Sequence, residues 1–243
     1  MEQIWNGNDP LKYGSLSYAD NGYPHTNLNE IIIHALLDYR RPLFWLELGS
    51  MLGGSAIRTA VAVKSKGLKT SIVCGDPFTG DVNMMVWEHE SFLRKEWRFL
   101  RNEDGRPRIY DRFLANVLKT GHSDIIVPVV ATSLVVMKSF LRLFNDKRLL
   151  SLPQIIYLDS AHELGETLLE LRVAWSLLPE GGVLFGDDWG WPAVRTDVSL
   201  FGKEITYNAL NSRRFCDGHS SLCDKCAFLE NIFVCLGQWL IFK

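Results

Sequence analysis

Five short apolar runs, each closing on small or acidic residues, constrain this chain more than any other feature. They are "PLFWLELGS" (42–50), "KTSIVCGDP" (69–77), "DIIVPVVATS" (124–133), "PQIIYLDS" (153–160) and "GGVLFGDD" (181–188). Runs of this length, rich in β-branched and aromatic residues, read as buried strands. Helical patterns between them favour βαβ crossovers around a parallel sheet. "SAIRTAVAVKSKG" is one such helix, closed by Gly67, and Leu164, Leu168, Leu171, Trp175 and Leu178 mark the buried face of another. Ahead of the first strand, "HTNLNEIIIHALLDYRR" predicts a leading helix capped by Asn27, with Glu30 three residues on. A chain of 243 residues, 47% of them hydrophobic, can bury one large α/β core, so a single domain spanning 1–243 is expected.

In an open sheet of this kind ligands bind beyond the carboxyl ends of the strands, where the strand order reverses. The first tip reads "ELGSMLGGS", containing Glu47, Gly49, Ser50, Gly53 and Ser55. Glycines in a strand-to-helix turn let a ligand approach the backbone, and the helix that follows presents free N–H groups. The spacing is not that of dinucleotide binders or of phosphate loops, and an acid stands two places before the first glycine, which suits a cationic group. Asp76 closes the second run, Asp159 the fourth, and Asp187 with Asp188 the fifth. Acids gathered in this way call for a compensating cation.

These residues resemble the class I S-adenosylmethionine-dependent methyltransferases, whose first motif has the form acid-x-Gly-x-x-x-Gly. The match continues in "GDPF", "YLDSAHE", "LLPEGGVLFGDD" and the closing "GQWLIFK". Within the class the chain looks most like small-molecule O-methyltransferases related to the macrocin and cephalosporin-biosynthesis enzymes. The resemblance implies a Rossmann-like, doubly wound, mostly parallel seven-stranded sheet with helices on both faces and an antiparallel C-terminal strand. It implies S-adenosyl-L-methionine as cofactor, with Glu47, Gly49, Ser50, Gly53, Ser55, Asp76 and Ser133 as its binding residues. It also implies a divalent ion, Mg²⁺, on Asp159, Asp187 and Asp188, which oxygen-only ligands favour. Asp159 and His162 become the candidate catalytic residues, with an imidazole suited to proton transfer. A structural reading stands beside these: Ser160 and Glu163 form a capping-box pattern that would place His162 in a first helical turn, and Asp188 could simply cap the turn before Trp189.

Lys+Arg 26 against Asp+Glu 28 gives a net charge of −2, which does not favour nucleic acid or an anionic membrane as partner. The acceptor is expected to be a small molecule, with no membrane association and homo-oligomerisation left open. An RNA ribose methyltransferase and a non-catalytic cofactor-binding protein are the alternatives. Residues 1–41 read as a flap plus the leading helix, with Tyr13, Tyr18, Tyr23 and His25 in the flap. Residues 80–123 read as a helical insertion over the active site, with Met84, Met85 and Trp87 towards the substrate and a basic stretch at 94–108. Residues 199–235 form a variable region. It carries Cys216, His219, Cys223 and Cys226, residue types and spacing that admit zinc, although free surface thiols in a reducing cytosol are the simpler expectation for five cysteines. No apolar run is long enough to predict a signal peptide or a membrane span, and a cytoplasmic location is expected.

Overall fold

The computed structural model describes residues 2–20, 24–81, 102–103, 105–205, 209–229 and 231–243. A short helix α1 (Glu2–Trp5) and two 3₁₀ turns (Pro10–Tyr13 and Leu16–Tyr18) precede α2 (Glu30–Arg40), β1 (Phe44–Leu48), α3 (Gly54–Ser65) and β2 (Ser71–Asp76). A two-stranded hairpin, β3 (Asn102–Glu103) and β4 (Arg106–Pro107), leads into α4 (Ile109–Thr120) and β5 (Ile126–Val130). Next come α5 (Ser133–Asn145), β6 (Ile155–Leu158), α6 (Glu166–Leu177), β7 (Val183–Gly186) and α7 (Pro192–Glu204). The chain ends with α8 (Ala209–Gly218), α9 (Ser220–Cys223), β8 (Cys226–Leu229), β9 (Ile232–Cys235) and β10 (Gln238–Phe242).

All five apolar runs become parallel strands, and β10 joins β7 antiparallel, as the resemblance implies. Among the described residues the main sheet has eight strands rather than seven, in the order β5-β2-β1-β6-β7-β10-β9-β8. The eighth is β8, which extends the antiparallel edge through β9. From β1 the chain runs outwards through β2 and β5, then returns to the other side of β1 with β6 and β7, so the switch point lies between β1 and β6.

Strand alternation splits the core between the two faces. Trp45, Ile72, Cys74, Tyr157 and Phe185 pack with α2, α3, α4 and α8, whereas Leu46, Leu48, Val73, Ile156 and Leu184 pack with α5, α6 and α7. Each large apolar side chain buried in this way contributes about 1.5–3 kcal/mol. The edge strand β5 accommodates Pro128 because its outer side needs no ladder donor, and the Trp5 indole donates to the Pro128 carbonyl at 2.8 Å.

Three local expectations are corrected. The cap of α2 is Asn29, whose side chain accepts from the Ile31 N–H at 2.9 Å, and Asn27 lies before the helix. Helix α6 begins after Gly165, so Ser160 and Glu163 form no capping box and His162 sits in the loop ahead of the helix. Leu164 is therefore off the buried face and 68% exposed, while Leu171 and Leu178 are buried. The cysteines are not free thiols: Cys216 pairs with Cys223 and Cys226 with Cys235, leaving Cys74 as the free, buried one. Disulfide sulfurs are not zinc ligands, and His219 Nδ1 lies 2.9 Å from the Phe215 carbonyl, so the zinc reading falls too.

Candidate active site

The tips of β1, β2, β6 and β7 open onto one cavity of about 290 Å³. Gly49, Asp76, Asp159, His162 and Asp188 line it, along with Asn27, Met51, Asp81, Ser160 and Trp191. Gly49 is required by geometry. Its φ is +88°, and a Cβ there would lie 1.9 Å from the Asp159 carbonyl oxygen, so the β1 tip passes against the β6 tip with no room for a side chain.

Asp76 ends β2, and its two oxygens accept from the Met51 and Phe78 N–H groups. Burial raises its pKa, and these backbone donors oppose the rise. A carboxylate retains further lone pairs beyond one bond per oxygen, so this cavity-lining acid can still accept from hydroxyls such as those of a ribose.

Glu47 is fully buried and does not line the cavity. Ser55 Oγ donates to its Oε1 at 2.7 Å. Oε2 has no partner in hydrogen-bond geometry, although the Ser50 hydroxyl and the Ala56 N–H lie near enough to hold its pKa down somewhat. Burial prevails and pushes the pKa up to about 7. Gly53 (φ +87°) forms the N-cap of α3. Ser50, Gly53 and Ser55 thus build the β1–α3 turn beneath the cavity and do not face it. Ser133 lies at the start of α5, buried, with its hydroxyl donating to the Glu170 carboxylate, also away from the cavity.

Asp159, His162 and Asp188 do converge. Their ligand atoms lie within 4.8 Å of one another, and among the described residues this is the one grouping of metal-ligating side chains. Burial raises Asp159 well above the usual carboxylate range, with the charges of Asp187 and Asp188 adding to it. Tyr157, one pleat earlier on β6, donates its hydroxyl to Asp159 at 3.1 Å. Asp188 adopts a left-handed backbone (φ +58°), a strained conformation for a residue with a side chain and one that clusters at functional sites. Asp187 Oδ1 accepts from the Asp188 N–H at 2.9 Å and so shapes that turn. All three aspartates, with His162 and Glu170, also wall a separate void of about 10 Å³, room for one water or one ion.

His162 is bracketed by carboxylates, with Nδ1 3.1 Å from Asp81 and Nε2 2.9 Å from Asp188. Burial alone would lower its pKa; the two hydrogen bonds outweigh that and push it up to about 10. It is held as an imidazolium, and it can accept a proton only after it has released one of its own. Asp81, Trp191 and Asn27 were not picked out as site residues by sequence reasoning. Asp81 follows Gly80 with no motif around it, and Trp191 shows its role only through its contact with the His162 ring, 5.6 Å between centroids. Met84, Met85 and Trp87 lie outside the described residues, as does Tyr23.

The carboxylate oxygens fit a divalent ion by type, two or three of them around a space of ionic size, whereas His162 as an imidazolium has no lone pair to offer. A methyltransferase-domain family model matches residues 46–189, more than half of the chain and the whole span from the β1 tip to the β7 tip. No curated protein matches. Solved structures similar to the chain include a candidate caffeoyl-CoA O-methyltransferase from Staphylococcus aureus, with 13% identity, a TM-score of 0.50, and coverage of 91% of this chain and 86% of that one. An O-methyltransferase from Bacillus cereus in complex with S-adenosylhomocysteine shows 12% identity and a TM-score of 0.48, with 91% and 84% covered. At these identities the structures show the fold alone. The family match, laid over a cavity at the switch point of a β5-β2-β1-β6-β7 sheet, identifies the chain as a member of the methyltransferase-domain family, an S-adenosylmethionine-dependent methyltransferase.

Proposed function

We propose that the protein moves the methyl group of S-adenosylmethionine to a hydroxyl oxygen of a small acceptor, with a divalent ion, Mg²⁺, at the β6 and β7 tips. The observation that carries this is the convergence of Asp159 and Asp188 on the cavity, with Asp187 beside them and no Lys or Arg lining it among the described residues. Carboxylates at such a tip repel one another, and a divalent cation relieves that repulsion. Asp159, Asp187 and Asp188 would hold the ion. When bound, it supplies Lewis-acid chemistry, lowering the pKa of an acceptor hydroxyl.

The chain's own residues have separate tasks. Asp76 accepts from the cofactor's hydroxyls at the β2 tip, while the Gly49 turn lets the cofactor lie against the backbone. Asp159 takes the acceptor's proton, since His162 arrives already protonated and braced between Asp81 and Asp188. Trp191 and Ile109 give the acceptor an apolar wall. Alignment of oxygen, methyl and sulfur in one line provides most of the rate. Arg106 and Arg108, the described part of the basic stretch, both pair with Asp111, at 3.3 and 3.0 Å, which favours a small acceptor over RNA; Arg94, Lys95, Arg98 and Arg101 lie outside the described residues. The test is methyl transfer from labelled S-adenosylmethionine to a panel of catechols and vicinal diols. EDTA and Asp188→Asn are each expected to lower turnover at least tenfold; full activity under both would remove the ion from the reaction, and no transfer to any hydroxyl would remove the function.

A further inference from the structure

We propose that Asp197, on α7, is a positioning residue that locks the loop carrying Asp159 and His162 against the loop carrying Asp188 and Trp191. Helix α6 lacks a cap of its own, since its N-cap is Gly165, which has no side chain to accept from the first turn. The acceptor comes from another helix: Asp197 Oδ2 receives the Gly165 N–H at 2.7 Å and the Leu168 N–H at 3.1 Å. Asp197 is 1% exposed, so water does not substitute for it, and a buried carboxylate facing two N–H groups at a helix N-terminus is well compensated.

The placement gives this cap its consequence. Residues 159–165 run from the β6 tip to the capped turn, and His162 lies three residues before Gly165. Residues 187–191 run from the β7 tip into α7, and Asp197 lies six residues beyond Trp191. Trp191 N donates to the Asp188 carbonyl at 2.7 Å and Arg195 N to the Trp191 carbonyl at 2.9 Å, so the second loop is continuous with the helix that bears Asp197. The two loops therefore meet in the cavity, through the His162 Nε2–Asp188 Oδ2 bond and the His162–Trp191 ring contact, and are tied again at Asp197 behind it. Two further bonds of the first loop run to its own helix: Ser160 Oγ donates to Glu170 at 2.9 Å, and Thr167 Oγ1 to the Ala161 carbonyl at 2.9 Å. Neither crosses to the Asp188 side. Asp197 does. Asp159 itself is fixed at the strand tip by its N–H, which donates to the Leu48 carbonyl at 2.8 Å, so what Asp197 sets is the position of the His162 end of the loop relative to Asp188. The part of this that concerns an ion rests on the function proposed above.

The experiment uses the whole protein at pH 7 with Asp197→Ala and Asp197→Asn. The first readout is the pair of downfield proton resonances of the His162 ring N–H groups, assigned by their disappearance in His162→Gln. They are expected to be lost in Asp197→Ala and kept in Asp197→Asn, whose amide oxygen still accepts from Gly165 and Leu168. Mn²⁺ affinity is expected to fall at least tenfold in the alanine variant and less than threefold in the asparagine variant. Affinity for S-adenosylhomocysteine is expected to stay within twofold in both. Ring resonances that persist in Asp197→Ala would overturn the assignment, as would equal losses of Mn²⁺ and S-adenosylhomocysteine affinity in both variants, which mark a general structural role. Should the alanine variant not fold, Asp197→Ser, with a shorter acceptor, is expected to fall between the two. A wild-type protein that binds no Mn²⁺ removes the ion from the function above, while the ring resonances still decide the role of Asp197.

Discussion

Glu47 illustrates how much one residue in this site depends on its surroundings. It is the acid of the first motif, yet it lies fully buried under the turn, and burial lifts its pKa to about 7 against an ordinary value of 4.5. The folded protein therefore holds a proton on Glu47 that the unfolded chain releases between those values. With more protons bound in the native state, stability falls as pH rises, from the unfolded pKa of 4.5 to the folded one near 7. A shift of this size corresponds to about 3 kcal/mol across the window. Denaturant unfolding of the ligand-free protein at a series of pH values checks this, with Glu47→Gln as reference. Because the glutamine does not titrate, its stability is expected to decline less steeply over that range, whatever the substitution costs in absolute terms. Parallel curves would show that Glu47 is not held protonated.

At the scale of elements, the strands were legible and the helix starts were not. Periodicity and run length reveal β1, β2, β5, β6 and β7 because a strand buried on both faces must be apolar throughout. The tips were legible for the same reason, since an acid at the end of an apolar run has nowhere to go but the sheet's edge. Helix α6 shows the limit. Ser160-x-x-Glu163 is a capping pattern, but Asp197 supplies the acceptor from 32 residues away and the helix begins later. No local spacing encodes that. The cysteines mislead likewise: Cys223 and Cys226 read together as a C-x-x-C pair, whereas folding gives each a different partner, across α8–α9 and across β8–β9. Sequence separations of 7 and 9 residues between the paired cysteines make each bond worth about 2–3 kcal/mol by chain entropy. Bonds of this kind persist in oxidising surroundings. Alkylation of protein prepared without reductant and then denatured is expected to label Cys74 alone, with all five cysteines labelled after reduction. Five labelled thiols before reduction would return the region to free cysteines.

On the scale of the whole molecule, a net charge of −2 conceals a polar arrangement. The sheet's topology sends Asp76, Asp159, Asp187 and Asp188 to one edge, and among the described residues several cations are paired away from it: Lys64 with Asp124, Lys66 with Asp38, Arg112 with Asp20, Arg172 with Glu204. Burial raises the pKa of Asp76, Asp159 and Asp187 alike, so the ligand-free fold carries a cost at that edge that a bound cation would offset. If the edge holds a divalent ion, binding to the native state alone stabilises by RT ln(1 + [L]/Kd), about 2.7 kcal/mol at a hundredfold excess over Kd. For a chain of this length that corresponds to a rise in Tm of about 5–10 °C. Thermal unfolding with millimolar Mg²⁺ or Mn²⁺ is expected to show this rise, and EDTA to reverse it. Potassium chloride at matched ionic strength separates specific binding from screening, which acts weakly on buried charges. In Asp188→Asn the rise should be absent, whatever the loss of the Asp188–His162 pair costs in Tm without ions. A shift of the same size in potassium chloride, or an undiminished divalent shift in Asp188→Asn, would mean that the acids at the tip are compensated within the chain and that their convergence serves the acceptor directly.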